Sequence, residues 1–142
     1  MQKLLENINE IYINIEYKDN LYLLTEDNFK DNKKLIKKYN NAIDSYINSE
    51  IIEEGEIALF LFDDTAFGSA KDGFLISTKS IYFKELFEDG TYIDFKNATP
   101  AIIEDKDILI NNISISMTLL DTINPVLDIL NYLIKFNNIE ED

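Results

Sequence analysis

From Glu56 onward the chain is cut into about seven short apolar runs by turn-forming residues, a punctuation that commits this part of it to β structure. Ile57–Phe62 is an unbroken apolar run of strand length, which suits a strand buried on both faces. Gly73–Ser77 and Ser80–Phe83 flank a Thr78-Lys79 turn, and Thr91–Phe95 alternates after Glu88-Asp89-Gly90. Ala101–Glu104, Asp107–Ile110 and Ile113–Met117 follow, separated by the turn formers Glu104-Asp105-Lys106 and Asn111-Asn112. The pattern then changes period. Asn124-Pro125 offers an N-cap followed by proline at the first helical position, and Ile123, Val126, Leu127, Leu130, Leu133 and Ile134 recur at helical spacing. A helix is expected over about Pro125–Phe136, with Glu140-Glu141-Asp142 as a solvated acidic tail.

The first fifty residues carry a different pattern. Leu4, Leu5, Ile8, Ile11 and Tyr12 have helical spacing, whereas Ile11–Tyr17 alternates with period two, as Leu21-Tyr22-Leu23 does loosely; a short helix and a small hairpin both fit. From about Asp27 to Ile47 the stripe Leu35, Ile36, Tyr39, Ala42, Ile43, Tyr46 and Ile47 predicts one amphipathic helix, with Thr25 or Asp27 as N-cap. This helix carries the one basic cluster, Lys30, Lys33, Lys34, Lys37 and Lys38, which reads as a solvated face or as a docking patch for an acidic ligand. The expected division is an N-terminal extension over residues 1–54, with its helix near 27–47, and a β domain with a C-terminal helix over 55–142.

Composition narrows the chemistry. The 142 residues suffice for one domain that buries roughly two-thirds of the surface its unfolded chain exposes. There is no cysteine, which excludes disulfides and thiolate metal sites, and no histidine, which removes the usual general base near neutral pH. All 13 basic residues are lysines, so no guanidinium fork for phosphate or carboxylate exists. A carboxylate-based enzyme is the weakest reading, and no cofactor is expected. The start, Met1 to Asn7, lacks a signal peptide's apolar core and no run reaches membrane-span length, so the expected location is the cytoplasm. The net charge of −14 opposes direct binding to nucleic acid or to an anionic membrane, both of which need a basic face.

The stretch Phe62-Asp63-Asp64-Thr65-Ala66-Phe67-Gly68-Ser69-Ala70-Lys71-Asp72-Gly73, continuing through Tyr82-Phe83, resembles the opening hairpin of bacterial pleckstrin-homology-like (PH-like) domains. The motif spans Asp63 to Tyr82 and the wider resemblance about residues 55–138. It implies an α+β fold: a partly open barrel of about seven antiparallel strands in two nearly orthogonal sheets, plugged by the C-terminal helix and here preceded by the helical extension. Eukaryotic relatives bind phosphoinositides through basic residues on the first loop; here that loop holds Asp63, Asp64 and Asp72 against Lys71 alone. The resemblance therefore implies protein interaction rather than lipid recognition.

The expected function is that of a non-enzymatic regulatory or accessory module that binds another protein, one with a basic surface. Candidate contacts are Asp63, Asp64, Phe67, Asp72, Glu85, Glu88, Asp89 and Asp94 around the hairpins, with Lys30, Lys34, Lys37 and Lys38 as an alternative basic patch for an acidic partner. Phe67 is either an apolar anchor beneath its hairpin or an exposed contact. A divalent-cation site on Asp63, Asp64 and Asp72 is not expected: their spacing does not match an EF-hand loop, and adjacent aspartates at a strand end point to opposite faces. The alternative function is an acidic inhibitor, either a toxin immunity protein or a nucleic-acid mimic that fills the basic cleft of a host defence nuclease.

Overall fold

A computed structural model describes residues 2–16, 20–47, 55–65, 68, 70–85, 89–117 and 122–139. The fold is α+β. A five-stranded antiparallel sheet has the order β1 (Leu21–Leu23), β2 (Ala58–Asp63), β3 (Gly73–Ser77), β4 (Ser80–Lys84) and β5 (Thr91–Asp94). A second antiparallel sheet holds β6 (Ile102–Glu104), β7 (Asp107–Ile110) and β8 (Ile113–Ser116), and no main-chain ladder joins the two sheets among the described residues. Helices α1 (Gln2–Ile13), α2 (Glu26–Phe29) and α3 (Lys33–Ala42) precede the sheets in sequence, apart from β1, and α4 (Ile123–Asn137) follows them. None is long and apolar enough to cross a membrane.

The alternation of side chains along the strands sorts the larger sheet into two faces. Phe60, Phe62, Phe74, Ile76, Ile81, Phe83 and Ile93 share one core with α4, with Leu4 and Ile8 of α1, and with Ile108, Ile110 and Ile115 of the smaller sheet. Phe62 and Phe74, directly opposite on β2 and β3, stack with ring centroids 4.9 Å apart. Leu61, Leu75 and Tyr82 point the other way, into a second core with Leu35, Ala42, Tyr46 and Ile47. Both faces are therefore covered, which is why every residue of β3 is buried and the strand reads as a continuous apolar run. The N-terminal segment takes part in both cores: β1 pairs with β2, Leu4 and Ile8 pack against the first face, and α3 covers the second.

Several local expectations are corrected. The single helix expected from about Asp27 is broken: α2 ends at Phe29, Asp31 takes a left-handed φ of 60°, and α3 restarts with Asn32 capping the Leu35 N–H at 3.1 Å. Thr25 does cap a helix, its Oγ1 accepting from Asn28 N–H at 3.3 Å, but that helix is the short α2. Beyond Ala42 the chain continues as a π-helical turn, Ile43–Ile47, which buries both Tyr46 and Ile47. Ile36 lies off the packed stripe and is exposed. On α4 the helix begins at Ile123, and Ile129 rather than Leu127 completes the fully buried stripe; Leu127 is only half-buried.

Candidate functional site

Asp63, the last residue of β2, was expected at the surface, and it is 1% exposed. The sequence Asp63-Asp64-Thr65 forms an Asx-turn, in which Asp63 Oδ1 accepts from Thr65 N–H at 3.0 Å and from its hydroxyl at 2.5 Å. Ala70 N–H adds a bond at 3.2 Å from the far side of the loop. The second carboxylate oxygen, Oδ2, takes Lys38 Nζ from α3 at 2.5 Å, and the same ammonium donates to the Gly68 carbonyl. One carboxylate and one ammonium thus fasten the loop after β2 to the helix above the sheet. Burial by itself pushes the Asp63 carboxyl up, but the bonds from Lys38 and Thr65 outweigh it and hold the group below its ordinary 3.8.

A second bracket lies alongside. Lys84 of β4 reaches Asp72 at 3.3 Å and Ser45 Oγ at 3.4 Å, and Ser45 Oγ donates to the Lys71 carbonyl at 2.8 Å. At the start of β3, Gly73 adopts a φ of +129°, and a Cβ there would stand 2.1 Å from the Phe62 carbonyl oxygen, so no other residue fits the hairpin. Gly90, leading into β5, permits a different close approach: its Cβ would lie 2.5 Å from the Tyr46 carbonyl oxygen.

Between these brackets Tyr46 is buried, and its hydroxyl has no hydrogen-bond partner among the described residues. Burial first, and the neighbouring charges of Asp63 and Asp72 second, push its phenol far above the ordinary 10.0. Its proton therefore stabilises the folded chain below pH 10, and that contribution is lost as pH rises beyond this value. Tyr46→Phe is expected to raise stability by about 1–2 kcal/mol, because it deletes a buried polar atom that nothing pairs. Urea denaturation at pH 7 measures this; a destabilised variant would show that the hydroxyl is satisfied.

The twelve expected contact residues accordingly separate. Asp63, Asp72 and Lys38 hold the fold together, and the acidic and basic sets meet in the Lys38–Asp63 pair. Asp64 is half-buried beside them, while Lys30, Lys34 and Lys37 are exposed. Glu85, directly after β4, is half-buried and accepts from Ser116 N–H of β8 at 3.3 Å; Asp89, ahead of β5, and Asp94, its last residue, are exposed. Phe67 and Glu88 lie outside the described residues. Thr65, Ala70, Ser45 and Lys84 were not anticipated, although Asp-x-Thr after a strand is a turn signature that pointed to Thr65.

The strand edges are the remaining polar surface of the sheets. The bonds from Asp63 N–H to Asn20 O and from Leu24 N–H to Leu59 O turn the main-chain groups of Leu21 and Leu23 outward from β1. Both carbonyls are taken by side chains, Leu21 O by the Tyr12 hydroxyl at 2.8 Å and Leu23 O by Asn28 Nδ2 at 3.0 Å. Beside β6, the Asn131 amide of α4 bonds both the N–H and the C=O of Ala101, at 2.7 and 3.0 Å. On β8, Ser116 N–H is taken by Glu85. At β5, the bond from Phe95 N–H to Lys79 O sets the phase, so Tyr92 and Asp94 point their main-chain groups away from β4. Those groups have no partner among the described residues, and the Tyr92 side chain is 52% exposed.

No protein-family model, curated protein or solved structure matches the chain. Among the described residues no group of three or more acids is arranged to hold a metal ion. A groove of about 470 Å³ runs between the end of α1 and the start of α4, lined by Ile11, Ile15 and Pro125 with Glu16 and Asp128; none of the expected contact residues borders it.

Proposed function

We propose that this chain is a non-enzymatic PH-like module that acts by binding another protein, and that it meets a basic partner through the acidic surface around β5. The seven strands from β2 to β8 followed by α4 keep the order expected of that family, which supports the PH-like assignment. The observation that carries the binding surface is the sorting of charges: Asp63, Asp72 and Lys38 are spent on internal brackets, while Asp89 and Asp94 remain exposed beside Tyr92 and an unpaired edge. The surplus of acids, a net −14, speeds encounter with a basic surface by steering. An inhibitor that occupies the basic cleft of a nuclease is the special case in which that partner binds nucleic acid.

The test is charge reversal with the captured partner in hand. Asp89→Lys combined with Asp94→Lys is expected to abolish association, and Lys30→Glu with Lys34→Glu and Lys37→Glu to leave it intact. Association with the parent chain should slow steeply as salt rises, since exposed charges are screened beyond about 8 Å at physiological ionic strength. Salt-independent binding that neither reversal changes would reject the acidic surface.

A further inference from the structure

We infer that the edge of β5 receives an extended basic segment of the partner as an added strand; this rests on the binding surface proposed above and specifies how it works. An unpaired strand edge is a template for another chain, and proteins commonly blunt such edges. In this molecule the outward carbonyls of β1 are taken by Tyr12 and Asn28, both main-chain groups of Ala101, just before β6, by Asn131, and the Ser116 N–H of β8 by Glu85, so that on β6 and β8 a single residue, Ile103 or Ser114, keeps both outward groups open. β5 alone among the described strands keeps two successive outward residues, Tyr92 and Asp94, with both N–H and C=O groups unpaired.

The chemistry of the occupant follows from the side chains. Tyr92 and Asp94 lie on the same face of the sheet, and Tyr92 already packs on Tyr82 with centroids 5.8 Å apart. A strand laid along β5 places one residue beside Asp94 and, two positions away, another beside Tyr92. The first position calls for lysine or arginine and the second for an aromatic or β-branched residue. The residue between them turns to the face of Ile93, which is 3% exposed and belongs to the core, so it is apolar. The occupant is thus a segment of the type basic–apolar–aromatic in extended form. A second copy of this chain is disfavoured, because pairing two β5 edges brings Asp89 and Asp94 of both copies into one ribbon of like charge.

The probe is the acetylated heptapeptide Thr-Lys-Val-Tyr-Val-Lys-Thr, with its Lys-to-Glu counterpart and a form N-methylated at the alternate residues whose N–H groups would face β5. Each is titrated into the full chain while amide NMR signals are followed. The basic peptide is expected to shift the Tyr92 and Asp94 amides, and N-methylation, Asp94→Lys and Tyr92→Pro are each expected to weaken it about tenfold or more. Proline at position 92 removes an outward N–H without touching the ladder to β4, and the N-methylated peptide makes the same test without altering the protein. Shifts located elsewhere or no binding by the basic peptide would each overturn strand addition, and self-association relieved by Tyr92→Pro would overturn the basic segment as occupant by giving the edge to a second copy. Binding lost with Asp94→Lys but indifferent to N-methylation and Tyr92→Pro would also overturn it, while leaving the acidic surface standing. Partner capture that survives reversal of Asp89 and Asp94 would remove the acidic surface itself.

Discussion

Lys38→Met is expected to destabilise the protein by about 3–5 kcal/mol, the usual cost of leaving one member of a buried ion pair without its counter-ion. The side chains of Lys38 and Asp63 are only 16% and 2% exposed, so water cannot replace the lost ammonium at the carboxylate. Asp63 would then keep its bonds from Thr65 and Ala70, and burial would push its carboxyl upward. The pH dependence should change with it. In the parent chain the depressed carboxyl contributes stability that is complete above pH 3.8 and is lost as pH falls through the lower folded value. In Lys38→Met the raised carboxyl takes up its proton at higher pH, and neutralising it relieves the penalty. Adding Asp63→Asn should recover most of the loss, since it removes the stranded charge. Urea denaturation from pH 3 to pH 7 on the single and double variants measures all three effects; a loss under 1 kcal/mol for Lys38→Met would mean that the pair is solvent-screened.

Leu130→Asp is expected to prevent folding. Leu130 is fully buried on α4, in the core that α4 shares with both sheets. Its removal forfeits about 1.5–3 kcal/mol of burial, and seating an unpaired carboxylate there adds several more, against a total stability of order 5–15 kcal/mol. Leu127→Asp, one turn earlier and half-buried, should fold with a far smaller penalty. Far-UV circular dichroism and thermal melting separate the two; a cooperative melt for Leu130→Asp would contradict the placement of α4.

Much of this architecture was legible because short-range chemistry dictates it. The hairpin turns use the residues that tolerate left-handed backbone, with φ of 54° and 63° at Asn111 and Asn112 and 56° at Asp105. β3 and β4 announce themselves by apolar content and length. The break at Asp31 was missed because the apolar stripe from Leu35 onward overshadowed an Asp31-Asn32 pair that prefers a turn and a cap. The π-helical turn left no local signal, since what it achieves is the seating of Tyr46 and Ile47 in the second core. For the site, sequence discloses charge but not solvent exposure. Asp63 and Lys38 stand 25 positions apart, and only the packing of α3 on the sheet turns two expected surface charges into a buried pair. The unpaired edge of β5 was likewise invisible, because it depends on which side of the strand β4 occupies and on side chains distant in sequence that pair outward groups along the other edges.

The contact between the first and last described helices has a consequence for biosynthesis. Asn7 Nδ2 of α1 bonds the Tyr132 hydroxyl of α4 at 2.9 Å across 125 positions, and Leu4 and Ile8 complete a core whose other wall is α4. On the ribosome α1 emerges early with its apolar stripe exposed, and the larger sheet can assemble from β1 to β5 while one of its faces has only α1 to lie against. Closure waits for Ile123–Asn137, so the nascent chain passes through a prolonged stage in which the aromatic surface of Phe60, Phe62 and Phe74 is only partly covered. Such long-range closure slows folding and extends the interval in which chaperones or stray strands can engage the chain.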